Sequence, residues 1–291
     1  MSVSATLDGT AADAAGLETL VRLLAGRGVV VLSGAGLSTE SGILDYRGAT
    51  GSRRRRPPMT YQEFTGSEAA RRRYWARSHA GWRTIAGAEP NAGHRAVEQL
   101  RRSGHVSAVI TQNVDGLHRA AGTRTAVELH GGLHRVVCLE CRRTSAREEL
   151  DSRLEALNGG FRDADAAARP DGDAELPQEL VDGFRVAPCR ACGGVLKPDV
   201  VFFGESVPEP RVRRCYELVD AGQALVVLGS SLTVMSGLRF VRRAARAGTP
   251  VAIVNQGATR GDDLAAARIG LPLGAVLTEA ARRVRAAARP V

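Results

Sequence analysis

The 291 residues, 44% hydrophobic and 24% charged, suffice for one large domain or a large domain with a smaller insert. No window approaches the roughly 18 uninterrupted apolar residues of a membrane span, and the first sixteen residues, with Asp8 and Asp13, contain neither a basic nor a long apolar stretch, so a membrane protein, a secretory signal and a transit peptide are excluded and a cytoplasmic location is expected. The net charge of +9 suits anionic partners, but the arginines are scattered, with runs only at 53–56 and 71–73, and aromatics are 4%, so nucleic acid is not expected as a partner.

Residues 17–25 have the spacing of a short amphipathic helix. The apolar run 28–32 then stops at Ser33-Gly34-Ala35-Gly36, as a buried strand entering a glycine turn does. Irregular, basic sequence from 48 to 90 contains a predicted helix over 67–84 with Tyr74, Trp75 and Trp82, and reads as a lid or insert. A helix over 92–102 leads to a strand at 106–111 that ends in Gln112-Asn113-Val114-Asp115. The stretch from Cys138 to Cys192 is rich in Asp, Ala and Gly, is not expected to hold a core without a metal, and is expected to be mobile over 158–177. Two further strands, 224–228 and 251–254, end in Gly229-Ser230-Ser231 and Asn255-Gln256-Gly257. Apolar strands that alternate with helices predict an open parallel α/β sheet, with ligands at the carboxyl ends of its strands. Gly34, Gln112, Gly229 and Asn255 then share one rim, the expected cofactor site.

Cys138-x-x-Cys141 and Cys189-x-x-Cys192 can each place two thiolates on one ion, and four thiolates make a closed tetrahedral zinc site. The 47 residues between the pairs exceed the roughly 15–20 of a compact ribbon, so insertions loop out of the site. With no position open for water, one structural Zn2+ is expected, and Cys215 reads as a core cysteine. Gly34-Ala35-Gly36 would let backbone amides approach a phosphate. Thr39 stands where a dinucleotide fingerprint has its third glycine, while Arg47 in the polar continuation could fork a phosphate. Among the histidines, His130 precedes a glycine pair and the first knuckle, but His118 and His134 remain equal candidates for a general base.

Together these stretches resemble the sirtuins, NAD-dependent protein lysine deacylases. The resemblance rests on residues 34–43 with Asp45-Tyr46-Arg47, on 111–115, His130-Gly131, both cysteine pairs, 197–205, 229–232 and Asn255, in family order. Thr39-Glu40-Ser41, the phrase Arg73-Tyr74-Trp75-Ala76-Arg77 and the long gap between knuckles resemble the class II branch. Leu44 departs from the proline usual there, which implies a looser cofactor loop. The resemblance implies that Gly34, Ala35, Gly36 and Arg47 hold the pyrophosphate of NAD, with Thr39 and Tyr46 in the same loop. It further implies that Asp45, Gln112, Asn113 and Asp115 line the nicotinamide and its ribose, and that Gly229, Ser230, Ser231, Asn255, Gln256 and Gly257 take the adenosine side. His130 inherits the role of base.

An acyl-lysine peptide is the implied partner, paired between a strand formed by Val201, Phe202, Phe203, Gly204 and Glu205 and a segment at 235–237. Tyr74 and Arg77, three apart on one helix face, resemble a carboxylate-reading pair and imply a preference for long or acidic acyl groups over acetyl. The reading divides the chain into a Rossmann-like NAD-binding domain (16–47, 94–134 and 196–291), a helical insert (48–93) and a zinc module (135–195). Mono-ADP-ribosyl transfer is the alternative activity. A zinc-stabilised basic nucleic-acid binder and a dehydrogenase are the more distant ones, the latter disfavoured by Thr39.

Overall fold

Thr10 starts α1 (Ala11–Ala25) with a reciprocal cap: it takes the Asp13 N–H while the Asp13 carboxylate takes its own. β1 (Val29–Ser33) follows, then two 3-10 turns, Ala35–Leu37 and Thr39–Ser41, closed by Gly42 at φ 82°. The computed structural model describes residues 9–45, 58–159, 161 and 176–287. The expectations placed on Tyr46, on Arg47, on the 53–56 run and on most of 158–177 fall outside these residues. Next come α2 (Tyr61–Gly66), α3 (Glu68–Ala86), α4 (Ala92–Arg102), β2 (Val106–Thr111), α5 (Leu117–Ala120) and β3 (Val127–Glu128). The cysteine-bearing region holds β4 (Gly131–Cys138), β5 (Thr144–Ala146), α6 (Arg147–Leu157), α7 (Gln178–Gly183) and β6 (Leu196–Val200). The chain ends with α8 (Glu209–Ala221), β7 (Ala224–Leu228), α9 (Met235–Arg246), β8 (Val251–Val254), β9 (Ala267–Ile269) and α10 (Leu273–Ala287).

The expected parallel sheet is present, six strands in the order β3-β2-β1-β7-β8-β9. The order runs outward from β1 in one direction and from β7 in the other, so a topological switch point lies between these two strands. Period-two alternation sorts their side chains. Val29 and Val31 join Leu20, Leu24, Leu100 and Val276 of α1, α4 and α10 on one face. Val30 and Leu32 join Val219, Phe240 and Val241 of α8 and α9 on the other. Each fully buried side chain of this kind adds roughly 1.5–3 kcal/mol. Register sets the rim: Ser33 pairs with Thr111 and with Leu228, and Leu228 with Val254, so four loops leave the sheet at one level.

The region between the knuckles has more core than its composition suggests. Leu150, Leu154, Val181 and Phe184 pack on Trp75 and Phe64, which come from α3 and α2, so the apolar partners lie in another segment of the chain. Arg147, 1% exposed, lies between the rings of Trp75 (5.5 Å) and Trp82 (4.8 Å) and pairs with Asp151 at 3.2 Å. This ties α3 to α6. Among the described residues no helix is long and apolar enough to cross a membrane.

Candidate active site

A cleft of about 1000 Å3 opens at the switch point, where the loops after β1, β2, β7 and β8 meet the helical insert. The β1 and β7 loops interlock: Gly36 N donates to Gly229 O at 2.8 Å, and Gly34 N to Leu228 O at 2.9 Å. A Cβ on Gly229, at φ 62°, would lie 2.3 Å from Leu37 N, and one on Gly34 2.7 Å from Ser230 Cβ. The glycines are therefore required first by the contact of two loops, a reason the phosphate argument does not supply.

Side chains fix the second loop. Asn113 donates to Gly34 O and to Ser38 Oγ, both at 3.0 Å, and Ser38 Oγ donates to Asp115 Oδ2 at 2.7 Å. Burial pushes the Asp115 carboxyl above the usual range, while the Leu117 N–H and the Ser38 hydroxyl pull it down. Gln112 Oε1 accepts from Ser230 Oγ at 2.8 Å, which joins the β2 loop to the β7 loop. Asn255 donates to the carbonyls of Gln256 and Gly257, folding the β8 loop on itself.

The three candidate histidines separate here. His118 lies below the rim, its Nε2 2.8 Å from Ser33 Oγ, and burial takes its pKa down to about 4. His134 faces Arg135, which bridges Glu128 at 3.0 Å and Asp199 at 2.8 Å. His130, two residues beyond β3, is the one of the three that borders the cleft. Its Nδ1 is 2.9 Å from Gln112 O. A carbonyl only accepts, so Nδ1 carries the proton and Nε2 of the neutral ring is bare; Ser236 Oγ donates to it at 2.8 Å. Burial lowers the His130 pKa, the Gln112 carbonyl raises it, and the Arg211 charge lowers it again, for a net fall that keeps the ring neutral. The glycine pair after it is packed, since a Cβ on Gly131 (φ 81°) would stand 2.0 Å from Asp199 O.

The four knuckle thiols lie within 4.8 Å of one another, with Cys138 and Cys192 Sγ 3.5 Å apart and Cys141 and Cys189 Sγ 3.8 Å apart. Ligands about 2.3 Å from a tetrahedral zinc stand about 3.8 Å from each other, so this all-sulfur donor set fits that ion. The knuckles share one hydrogen-bond pattern: Arg142 N donates to Cys138 O as Gly193 N does to Cys189 O, and Cys138 N to Arg143 O as Cys189 N does to Gly194 O. Both need a left-handed residue after the second cysteine, Gly193 at φ 76° and Arg142 at φ 62°. β4 has His130 before its first residue and Cys138 as its last, a span of roughly 26 Å at 3.3 Å per residue, so the cysteine site is remote from the base.

Residues 34–236 match the Sir2 family. The chain belongs to the Sir2 family. It is 64% identical over 257 residues to NAD-dependent protein deacetylase 1 of Streptomyces coelicolor, covering 88% of this chain and 86% of that protein. It is 51% identical over 255 residues to the protein of that name from Mycobacterium avium, covering 86% and 89%. Among solved structures, a Sir2 homologue in complex with NAD superposes with a TM-score of 0.73 at 28% identity, covering 94% of this chain and 95% of that one. A Sir2–p53 peptide–NAD+ complex superposes at 0.71, also at 28% identity, covering 94% and 98%.

Every described residue expected at the cofactor site borders the cleft of this Sir2-family chain, as do Tyr74, Arg77, Val201, Phe202, Phe203 and Gly204 of the expected substrate site; Glu205 does not, and of the 235–237 segment Ser236 alone does. Glu205 instead accepts from Phe202 N at 2.9 Å and from Lys197 Nζ at 3.1 Å, so it fixes the wall from behind. Lys197, buried, also donates to Val200 O and lies 4.7 Å from the Phe202 ring. The strand expected over 201–205 stops earlier: β6 ends at Val200, and a turn follows, closed by Glu205 N on Phe202 O with Gly204 at φ 78°. Phe203 O is taken by Tyr61 N of the insert. Tyr74 and Arg77, half-buried on α3, also border the cleft, with Tyr74 5.2 Å from the Phe202 ring. Arg73 borders the cleft one turn from Arg77, and Glu63, Thr233, Ser38 and Ser236 add to the polar lining. The sequence placed the 235–237 segment beside the substrate but not the bond from Ser236 to His130, because the two are 106 residues apart, whereas Ser38 was visible in a conspicuously polar loop.

Proposed function

We propose that the chain is an NAD-dependent protein lysine deacylase that releases nicotinamide and O-acyl-ADP-ribose. One observation carries the reading: a neutral imidazole, His130, its unprotonated Nε2 hydrogen-bonded to Ser236 Oγ, borders a cleft of about 1000 Å3 at the switch point of a Rossmann-like sheet. The kinship with proteins named as deacetylases supports it. NAD fits a cleft bordered at once by four strand-end loops. The first loop (Gly34, Ala35, Gly36, Thr39, Tyr46 and Arg47) would hold its pyrophosphate, and Asp45, Gln112, Asn113 and Asp115 its nicotinamide ribose. Gly229, Ser230, Ser231, Asn255, Gln256 and Gly257 would hold its adenosine. When bound, NAD supplies the ribose carbon that accepts the acyl oxygen as nicotinamide leaves.

His130 would take a ribose hydroxyl proton on Nε2 while Nδ1–H keeps its bond to Gln112 O, which fixes tautomer and ring plane. The walls at 201–204 and 232–236 would bracket an acyl-lysine peptide whose backbone, rather than side chains, is read. Zinc on Cys138, Cys141, Cys189 and Cys192 would hold the small domain together and take no part in the reaction. Tyr74 and Arg77 on the cleft wall support acceptance of long or acidic acyl chains, the guanidinium answering a terminal carboxylate. The phrase from Arg73 to Arg77 supports placement in the class II branch.

Mass spectrometry of the zinc-loaded protein with NAD and a panel of acyl-lysine peptides tests this. Acyl loss with O-acyl-ADP-ribose, abolished in H130A, is expected. ADP-ribose on protein without acyl loss would move the assignment to mono-ADP-ribosyl transfer. Equal turnover of acetyl and glutaryl peptides by R77A and the wild type would overturn the acyl preference.

A further inference from the structure

Ser236 Oγ lies 2.8 Å from His130 Nε2, and His130 Nδ1 lies 2.9 Å from Gln112 O. The tautomer derived above makes the hydroxyl the donor to Nε2 and the ring the donor to the carbonyl. A serine bonded to a neutral imidazole whose other nitrogen is held by an acceptor is the arrangement that activates a serine for acyl transfer. The acceptor is itself fixed, because Gln112 N donates to Ser33 O and Gln112 Oε1 accepts from Ser230 Oγ.

The surroundings of Ser236 fit that chemistry. It is the second residue of α9, a twelve-residue helix without a side-chain cap. The amides of Met235 and Ser236 have no acceptor within the helix, and they stand at its positive end. The next residue is glycine, because a Cβ there would lie 2.6 Å from Gln112 Nε2. Leu232, a non-glycine residue at φ 54°, turns the chain into this segment. Ser236 borders the cleft, which also has apolar Leu133, Phe202 and Val234 in its lining.

We propose that Ser236 is an acyl-transfer nucleophile, giving the protein an NAD-independent esterase activity toward short-chain acyl esters of alcohols. Ser236 Oγ forms the bond to the ester carbonyl carbon as its proton passes to His130 Nε2. The helix-terminal amides face the charge on the carbonyl oxygen. The carbon–alkoxide bond then breaks, and the leaving alcohol takes the proton back from Nε2. Water, giving its proton to Nε2, cleaves acyl-Ser236 to a carboxylic acid and regenerates the serine. Gln112 O is a neutral acceptor where hydrolases of this kind often have a carboxylate, so the imidazolium is less stabilised and turnover is slow. A ribose ester is a substrate of this class. That extension rests on the deacylase reading, in which such an ester is left in the same cleft.

The test uses the zinc-loaded full chain without NAD, p-nitrophenyl acetate as the ester and a fluorophosphonate as an irreversible serine probe. Expected are ester hydrolysis, an acetyl adduct on Ser236 after acid quench, and one phosphonate adduct on Ser236 that is absent in H130A. S236A and H130A each lower the hydrolysis rate about 100-fold. Hydrolysis undiminished in S236A, or a protein that neither hydrolyses the ester nor takes the probe, would overturn the proposal. Acyl-lysine turnover with NAD, assayed in parallel on the wild type, reads the deacylase separately, so loss of the esterase idea leaves the deacylase reading standing and the reverse is equally visible.

Discussion

The rim of the parallel sheet and the cysteine end of the small domain both gather short loops around a point, and they do so by opposite means. At the rim, loops after β1, β2 and β7 lock to one another through backbone contacts at Gly34, Gly36 and Gly229 and through Asn113, Ser38 and Gln112. The space they enclose stays open. At the knuckles, four thiols lie within 4.8 Å of one another, and a tetrahedral ion held by all four would have no position for a further ligand. The open cleft is held from its periphery, and the cysteine cluster is drawn together at its middle.

Removing the metal should give the largest contrast. Chelation, or C189A, is expected to forfeit on the order of 10 kcal/mol of coordination and to melt the region around β4–β6, while hydrogen exchange in β1, β2, β7 and β8 stays protected. Loss of protection in both regions together would show that they are one cooperative unit. H130A is the reverse experiment: kcat/KM on an acyl-lysine peptide falls 10²–10⁴-fold, with Tm and zinc content unchanged. G229A attacks the peripheral lock. Its Cβ must displace Leu37 N from a left-handed glycine, so unfolding in denaturant should show a loss of about 2–4 kcal/mol and weaker NAD binding by calorimetry.

Acid probes the floor of the rim. Burial lowers His118 to about 4 and His94 to about 3, and the two rings stand 5.0 Å apart. Above pH 6.5 the rings are neutral in both folded and unfolded chains, and stability is intact. Between 6.5 and about 4 only the unfolded chain takes up these protons, so stability falls by up to about 1.4 kcal/mol per pH unit for each ring. H118N should flatten that slope. The smallest change is R142G: relieving a left-handed arginine beside the first knuckle, where the second already has Gly193, should raise stability by about 0.5–1 kcal/mol in thermal melts.

The central strands were legible because β-branched runs such as Val29-Val30-Val31 end abruptly in Gly or Asn, and the shared rim followed from parallel topology alone. The edge strands β3 and β9, two and three residues long, leave no periodicity to read. His130 could not be told from His118 and His134, since their difference lies in what surrounds them after folding. The cysteine pairs were plain from spacing. The core beside them was not, because Leu150 and Phe184 find Trp75 and Phe64 across long separations in the chain. Glu205 had the right neighbours and the wrong direction: the turn over 202–205, with Gly204 at φ 78°, sends it behind the wall instead of into the cleft.

Lys197 is the only lysine in the chain, 4% exposed and held by Glu205 and Val200 O. Reactive thioesters and anhydrides, which acylate accessible amines without any enzyme, therefore meet no lysine on this surface. A protein proposed to clear such marks from others collects none on its own lysine, and needs no second copy of itself to stay clean.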